Sequence, residues 1–176
     1  MGSIEELFAH ELKDMLGAEQ SLLDALEQMA DESADRDIRK AHLQHRRETQ
    51  GQITRLEKIF RTLGQKPEAE TCAGIEGLIK EKKVFMHEKP TEELLEFFNI
   101  GVAQKVERYE ITAYEHLIDM ADKLGMHDAV ALLEDSLQEE EAALHKLKAI
   151  ASEFDVAEDR ESDELVTNEE TISSRR

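Results

Sequence analysis

Apolar residues recur along this chain in steps of three and four, which is the spacing of one face of an α-helix. The periodic stretches predict four long helices and one short helix, with expected bounds at residues 3–31, 35–63, 72–86, 91–124 and 127–154. Ser3, followed three residues later by Glu6, is typical of a helix start. Gly64 and Gly125 stand where the second and the fourth helix should end. The pattern therefore predicts an all-α protein.

The lengths of the connections predict how these helices are arranged. The first two helices, and likewise the last two, are joined by only a few residues, so each pair should form an antiparallel hairpin. Residues 65–90 connect the hairpins, a segment long enough to run along the bundle and to carry the short helix. Two hairpins joined by one long crossover make the ferritin-like four-helix bundle. We assign residues 1–154 to this domain and expect the acidic residues 155–176 to form a disordered tail.

Glutamate interrupts the apolar stripe of every long helix near its middle. The five glutamates are Glu19, Glu48, Glu107, Glu110 and Glu140. Because the middles of helices of similar length meet at one level of a bundle, these five carboxylates should converge inside the core. Buried carboxylates without partners are costly, and they repel one another. Arg55 is the one basic residue in the stripes, about two turns from Glu48, so the cluster needs another source of positive charge.

Two divalent cations would supply that charge, and oxygen ligands with an imidazole suit iron or manganese better than zinc or copper. His45, one turn before Glu48, is the best imidazole candidate, either as a ligand or as a donor to a carboxylate. Gln52 is a weaker ligand candidate or a donor, and Tyr114 either bonds a ligand or packs with its hydroxyl satisfied elsewhere. The remaining histidines are expected on the surface: His10, His42, His87, His116, His127 and His145.

Composition narrows the classes of function. The 176 residues carry a formal net charge of −19, which disfavours nucleic acid and anionic membranes as partners, although acidity alone also fits simple solubility. No apolar run of about 18 residues predicts a membrane span, and no secretory signal is seen at the start. The single cysteine, Cys72, excludes an intrachain disulfide and a cysteine-based zinc site. We therefore expect a cytoplasmic location.

Four segments carry a resemblance to a known family. They read HELKDMLGAEQSLLDAL at 10–26, HRRETQGQITRLE at 45–57, CAGIEGLI at 72–79 and AQKVERYEI at 103–111. Through them the chain resembles the YciE/YciF family of ferritin-like proteins. The resemblance implies a rubrerythrin-like dinuclear site on the same five glutamates, with Glu110 as a mobile carboxylate. It also implies a homodimer and a link to stress responses, and such proteins are often labelled ferroxidases.

Three hypotheses for the function follow. The first is an oxidoreductase that holds two iron ions per chain and oxidises them with O2 or peroxide, or a variant that uses manganese to dismutate peroxide. The second is a metal-binding stress protein without turnover. This alternative to the oxidoreductase is supported by Gly51 and Ala143, which stand where ferritin-like sites usually place histidine. The third is a structural bundle without metal, which would have to keep five core carboxylates protonated at neutral pH.

Overall fold

The computed structural model describes residues 1–155, and these residues form five α-helices and no strand. The helices are α1 (Ile4–Glu32), α2 (Arg36–Thr62), α3 (Ala73–Met86), α4 (Glu92–Lys123) and α5 (His127–Glu153). Each helix end lies within one residue of its predicted position, so the all-α prediction is confirmed. None of these helices is long and apolar enough to cross a membrane. The predicted tail lies, apart from its first residue, outside the described residues.

Side-chain caps and glycines in the left-handed conformation define the helix ends. The Ser3 hydroxyl accepts a hydrogen bond of 3.2 Å from the backbone nitrogen of Glu6 at the start of α1, and the Asp35 carboxylate caps α2. These bonds satisfy backbone donors that have no partner inside the helix. Gly64 and Gly125 follow α2 and α4 with φ of 69° and 68°, where a side chain would be strained.

The four long helices pair as the connection lengths predict. The helix α1 packs on α2, α4 packs on α5, and the two hairpins meet through α1 with α4 and α2 with α5. The short helix α3 lies across α1 and α4. A large apolar core fills the end of the bundle that contains Phe8, Phe60 and Leu133. A smaller cluster of Met29, Ala103 and Leu147 lies toward the other end.

The crossover is held against α1 by a close backbone contact. The backbone nitrogen of Glu70 donates a 3.0 Å hydrogen bond to the carbonyl oxygen of Lys13. One turn further along α1, a Cβ atom on Gly17 would lie 1.7 Å from the Glu70 carbonyl oxygen, so only glycine fits. Beyond this contact the chain buries Cys72 and Ile75 as α3 begins. Gly17 therefore determines how closely the crossover and α3 pack over the bundle.

We predict that Gly17→Ala destabilises the protein by about 1–3 kcal/mol, because the added methyl group must displace the crossover backbone. The matched control is Gly101→Ala, since Gly101 lies inside α4 with nothing within 4 Å of its Cβ position. This control should stabilise the protein by about 0.5–1 kcal/mol through helix propensity. Urea unfolding followed by circular dichroism measures both effects. Equal stability of the two variants would contradict the role given to Gly17.

Candidate metal centre

Four fully buried glutamates meet about halfway along the bundle, between the two apolar zones. Glu19 on α1, Glu107 and Glu110 on α4, and Glu140 on α5 have relative exposures between 0% and 2%. Each belongs to a helix whose flanking stripe residues are apolar and buried, so packing of the neighbouring turns carries the carboxylate inward. The sequence expectation of a carboxylate cluster inside the core thus holds for these four residues.

His45 on α2 lies in the middle of this cluster. Its Nε2 atom is 3.3 Å from a Glu107 oxygen and 3.6 Å from a Glu140 oxygen. Its Nδ1 atom is 3.6 Å from an oxygen of Glu48. Donor atoms of His45, Glu107, Glu110 and Glu140 all lie within 4.8 Å of one another, which is close enough to surround one cation. That these residues are metal ligands stays a prediction.

Most polar atoms of the centre have no hydrogen-bond partner. These atoms are one oxygen each of Glu19, Glu107 and Glu140, both oxygens of Glu110, and both ring nitrogens of His45. Leaving a buried polar atom unpaired costs about 1–3 kcal/mol, and more when the group is charged. A protein does not keep so many unpaired atoms together in its core without compensation. Cations bound by oxygen and nitrogen would satisfy them together, so the residues present fit a metal centre.

The centre also holds protons strongly when no cation is bound. Burial raises the pKa of Glu19, Glu107 and Glu110 well above the usual range. The charge of Glu140 is the next largest cause in all three cases. Because a metal ion binds the ionised carboxylates, it must displace these protons. Metal affinity should therefore increase with pH.

Two neutral side chains orient the carboxylates. The Gln52 amide nitrogen donates a hydrogen bond to a Glu140 oxygen, and the Tyr114 hydroxyl donates to a Glu19 oxygen. Both donors are fully buried. The sequence allowed Tyr114 either to hydrogen-bond a ligand or to pack with its hydroxyl satisfied elsewhere. The structure shows the first, a hydrogen bond to the predicted ligand Glu19. Donors of this kind hold a carboxylate in one orientation before the metal arrives.

Arg55 does not neutralise the cluster by direct contact. Its guanidinium group donates to the Ser136 hydroxyl at 2.8 Å and also pairs with Glu139. The charge of Arg55 lowers the pKa of Glu19, but burial outweighs that effect. Lys82, a buried lysine, pairs with Glu32 at 2.5 Å. Arg55 and Lys82 are thus paired with acids outside the cluster.

Glu48 lies at the rim of the centre, so its predicted burial is wrong. Its side chain is 21% exposed and accepts a 2.8 Å hydrogen bond from the Gln44 amide. The buried face of α2 includes Ile38, His42, His45, Thr49, Gln52, Leu56 and Ile59. These positions alternate steps of four and three, whereas the predicted stripe passed through Glu48, one residue before the buried Thr49. The contact with His45 is the main cause that lowers the pKa of Glu48.

His42 is buried, which corrects its predicted surface position. Its residue exposure is 3%, and its Nε2 atom has no hydrogen-bond partner. Burial, followed by His45 and Lys82, lowers the pKa of His42 to about 4. The alternating steps of four and three through His45 are the sequence signal that would have placed His42 inside. The other five histidines predicted at the surface are exposed.

Two small cavities reach the centre between the helices. One of about 50 Å³ has mainly apolar walls that include Leu26, Ile79 and Val106, and it reaches His45 and Glu107. The other has a volume of about 30 Å³ and is lined by residues of all four long helices. Among its polar lining residues are His42, His45, Glu48, Glu107 and Lys146. The buried centre is therefore approached by one largely apolar cavity and by a smaller one of which half the lining residues are polar.

Comparison with known proteins agrees with this architecture. The family model of a domain of unknown function, DUF892, matches residues 3–159. The protein YciF of Escherichia coli K12 is 35% identical over 152 residues, which cover 86% of this chain and 92% of YciF.

Solved structures extend the comparison. YcfI of Rhodopseudomonas palustris has a TM-score of 0.82 with 40% identity, covering 85% of this chain and 95% of that one. The E. coli stress protein YciF has a TM-score of 0.81 with 35% identity, covering 86% and 96%. A Xanthomonas campestris protein, with a TM-score of 0.69, 18% identity and coverage of 85% and 92%, shows the same fold.

We predict that the metal-free protein loses stability as pH rises. The folded-state pKa of Glu110 lies above the ordinary value of 4.5. Its contribution to the free energy of unfolding is therefore complete below pH 4.5 and is lost as pH rises through the folded-state pKa. Each proton kept only by the folded state gives a slope of about −1.4 kcal/mol per pH unit. Glu110→Gln should make the slope shallower by up to this amount. Urea unfolding of chelator-treated protein between pH 5 and pH 8 measures it.

The control for this experiment is Glu141→Gln, which changes an exposed carboxylate next to Glu140. Its slope should equal that of the unaltered protein. If Glu110→Gln left the slope as steep as before, Glu110 would not be holding a proton in the metal-free protein.

Proposed function

This chain belongs to the DUF892 family and is a relative of YciF, as its sequence motifs indicated. We propose that it is a dinuclear iron protein that reduces O2 or peroxide. The observation that carries the proposal is the group formed by His45, Glu107, Glu110 and Glu140, whose donor atoms are buried, close together and largely without partners. The E. coli relative is a stress protein, which supports a role in stress protection.

The four buried glutamates and His45 would hold the two ions. Glu107 and Glu110 lie one turn apart on α4, so their carboxylates face the same space from one helix. Glu140 and His45 approach them from α5 and α2, and Glu19 completes the cluster from α1. Glu48 stays a predicted ligand at the rim. When bound, iron supplies the electrons that reduce the oxidant.

The surrounding residues would position ligands and limit the access of water. Gln52 and Tyr114 hold Glu140 and Glu19 in fixed orientations, which lowers the cost of assembling the centre. The apolar walls of the larger cavity suit a small neutral oxidant better than a hydrated ion. Exclusion of bulk water strengthens the electrostatic interactions of the carboxylates with bound cations.

A metal-binding protein without turnover is the second candidate, and a specific observation favours it. Position 143, where ferritin-like sites usually carry histidine, holds a buried alanine, and position 51 holds glycine. Within the described residues, His45 is the one histidine of the four-residue donor group. A centre dominated by carboxylates also fits manganese, so a peroxide-dismutating enzyme stays open. The homodimer and the cytoplasmic location stay predictions.

We expect the protein, purified without a chelator or reconstituted anaerobically with Fe(II), to bind two iron ions per chain. Glu107→Gln removes one negative ligand with little change in volume, and it should weaken binding by about 100-fold or more. Mutation of residues that only hydrogen-bond a metal ligand already lowers metal affinity by about 10- to 100-fold. Equilibrium dialysis with elemental analysis measures the stoichiometry. Glu141→Gln on the exposed face of α5 is the matched control and should bind normally.

Repeated additions of Fe(II) in air would distinguish an enzyme from a metal-binding protein without turnover. An enzyme should oxidise each addition at a similar rate, as followed by ultraviolet absorbance, whereas a binding protein should oxidise only the first two equivalents. A parallel measurement of O2 release from peroxide, after loading with manganese, tests the dismutase variant. Normal iron binding and turnover by Glu107→Gln would overturn the assignment of the centre.

A further inference from the structure

Arg55 is a half-buried arginine that joins α2 to α5 beside the centre. Its Nε atom donates a 2.8 Å hydrogen bond to the hydroxyl of Ser136, and its Nη2 atom donates to a carboxylate oxygen of Glu139. Ser136 is 1% exposed, and its hydroxyl donates in turn to the carbonyl oxygen of Leu132. One guanidinium group thus binds two positions of α5 with a fixed fork geometry that a lysine ammonium group does not reproduce.

These contacts lie next to the hydrogen bond that orients Glu140. Gln52, one turn before Arg55 on α2, donates to Glu140, which follows Glu139 on α5. Within the described residues, three hydrogen bonds join side chains of α2 and α5, and Arg55 donates two of them. The same two helices bring the Glu140 carboxylate to 3.6 Å from His45. The place of Glu140 relative to α2 therefore depends on Arg55.

We propose that Arg55 is a positioning residue of the metal centre, which fixes α5 against α2 so that Glu140 and His45 reach the same ion. The inference rests on the proposed function. A functional centre needs its groups held within about 0.5 Å of the productive geometry by the residues that support them. Arg55 supplies such support through Ser136 and Glu139, without touching the ion itself. Loss of these two bonds would release the turn of α5 that carries Glu140.

The surroundings of Arg55 favour a geometric role over an electrostatic one. Arg55 lowers the pKa of Glu19, whereas its partner Glu139 raises it, so the charges of the pair oppose each other at the centre. An unpaired guanidinium group would also repel the cations that the centre is proposed to bind. The Nη1 atom lies 3.6 Å from the position that a Cβ atom would take on Gly51, which is ordinary packing distance. The guanidinium group is therefore packed, paired and directed at α5.

The experiment is an anaerobic Co(II) titration of the full chain, in which equilibrium dialysis measures affinity and visible absorption reports the coordination geometry. Arg55→Lys keeps the charge but loses the fork geometry, and Arg55→Met loses both. Both variants should bind Co(II) about 10- to 100-fold more weakly, with a changed spectrum. Arg46→Met is the matched control, because Arg46 joins α2 to α1 through the Leu23 carbonyl oxygen and Glu27. It should keep the affinity and the spectrum of the unaltered protein.

A double-mutant cycle tests whether Arg55 acts through Glu140. Gln52→Met removes the amide that orients Glu140, and its effect on Co(II) affinity should not add to that of Arg55→Met, because both changes loosen one carboxylate. An additive cycle, normal binding by Arg55→Lys or an equal loss in Arg46→Met would overturn the positioning role and leave the dinuclear centre standing. If the unaltered protein bound no Co(II) at all, the proposed function itself would fail.

Discussion

The mutual repulsion of four buried carboxylates is the constraint on which the rest of this structure depends. Glu19, Glu107, Glu110 and Glu140 have almost no contact with water, and the half-buried Arg55 and the buried Lys82 pair with other acids. Such a cluster is a cost to the fold, which the metal-free protein reduces by keeping protons. Stability must then come from elsewhere in the bundle, and the large apolar core at one end provides it.

The crossover between α2 and α4 links the packing of α3 to the surroundings of the buried carboxylates. It packs at Gly17, two residues before the Glu19 carboxylate, and it places α3 across α1 and α4. Ile79 belongs to α3 and lines the larger, apolar cavity. The contact of the crossover with α1 at Gly17 therefore also positions one wall of the cavity that reaches the centre. Packing of the crossover and access to the carboxylates are consequently coupled. A shift of α3 would change the cavity without touching a predicted ligand.

The sequence predicted the helices well because each of their signals is local. Apolar periodicity, the Ser3 cap and the glycines after α2 and α4 act within a few residues, so the bounds came out within one residue. The residues of the centre were harder to predict, because the buried face of a long helix depends on whether successive stripe residues are three or four positions apart. Two stripe positions, each misplaced by one residue, put Glu48 in the core and left His42 outside. The hydrogen bonds of Gln52 and Tyr114 join residues about 90 positions apart, and their geometry depends on how the hairpins pack.

The corrected position of Glu48 changes the charge balance of the proposed centre. Five core carboxylates would exceed two divalent cations by one negative charge, which is expensive where the dielectric is low. Four buried carboxylates with a neutral His45 match two such cations. Tyr114 adds no charge, because burial raises its pKa and its hydroxyl donates to Glu19. Glu48, partly solvated beside His45, lies outside this balance at the rim of the centre. In the proposed centre, the four buried glutamates would therefore neutralise two divalent ions without a contribution from Glu48.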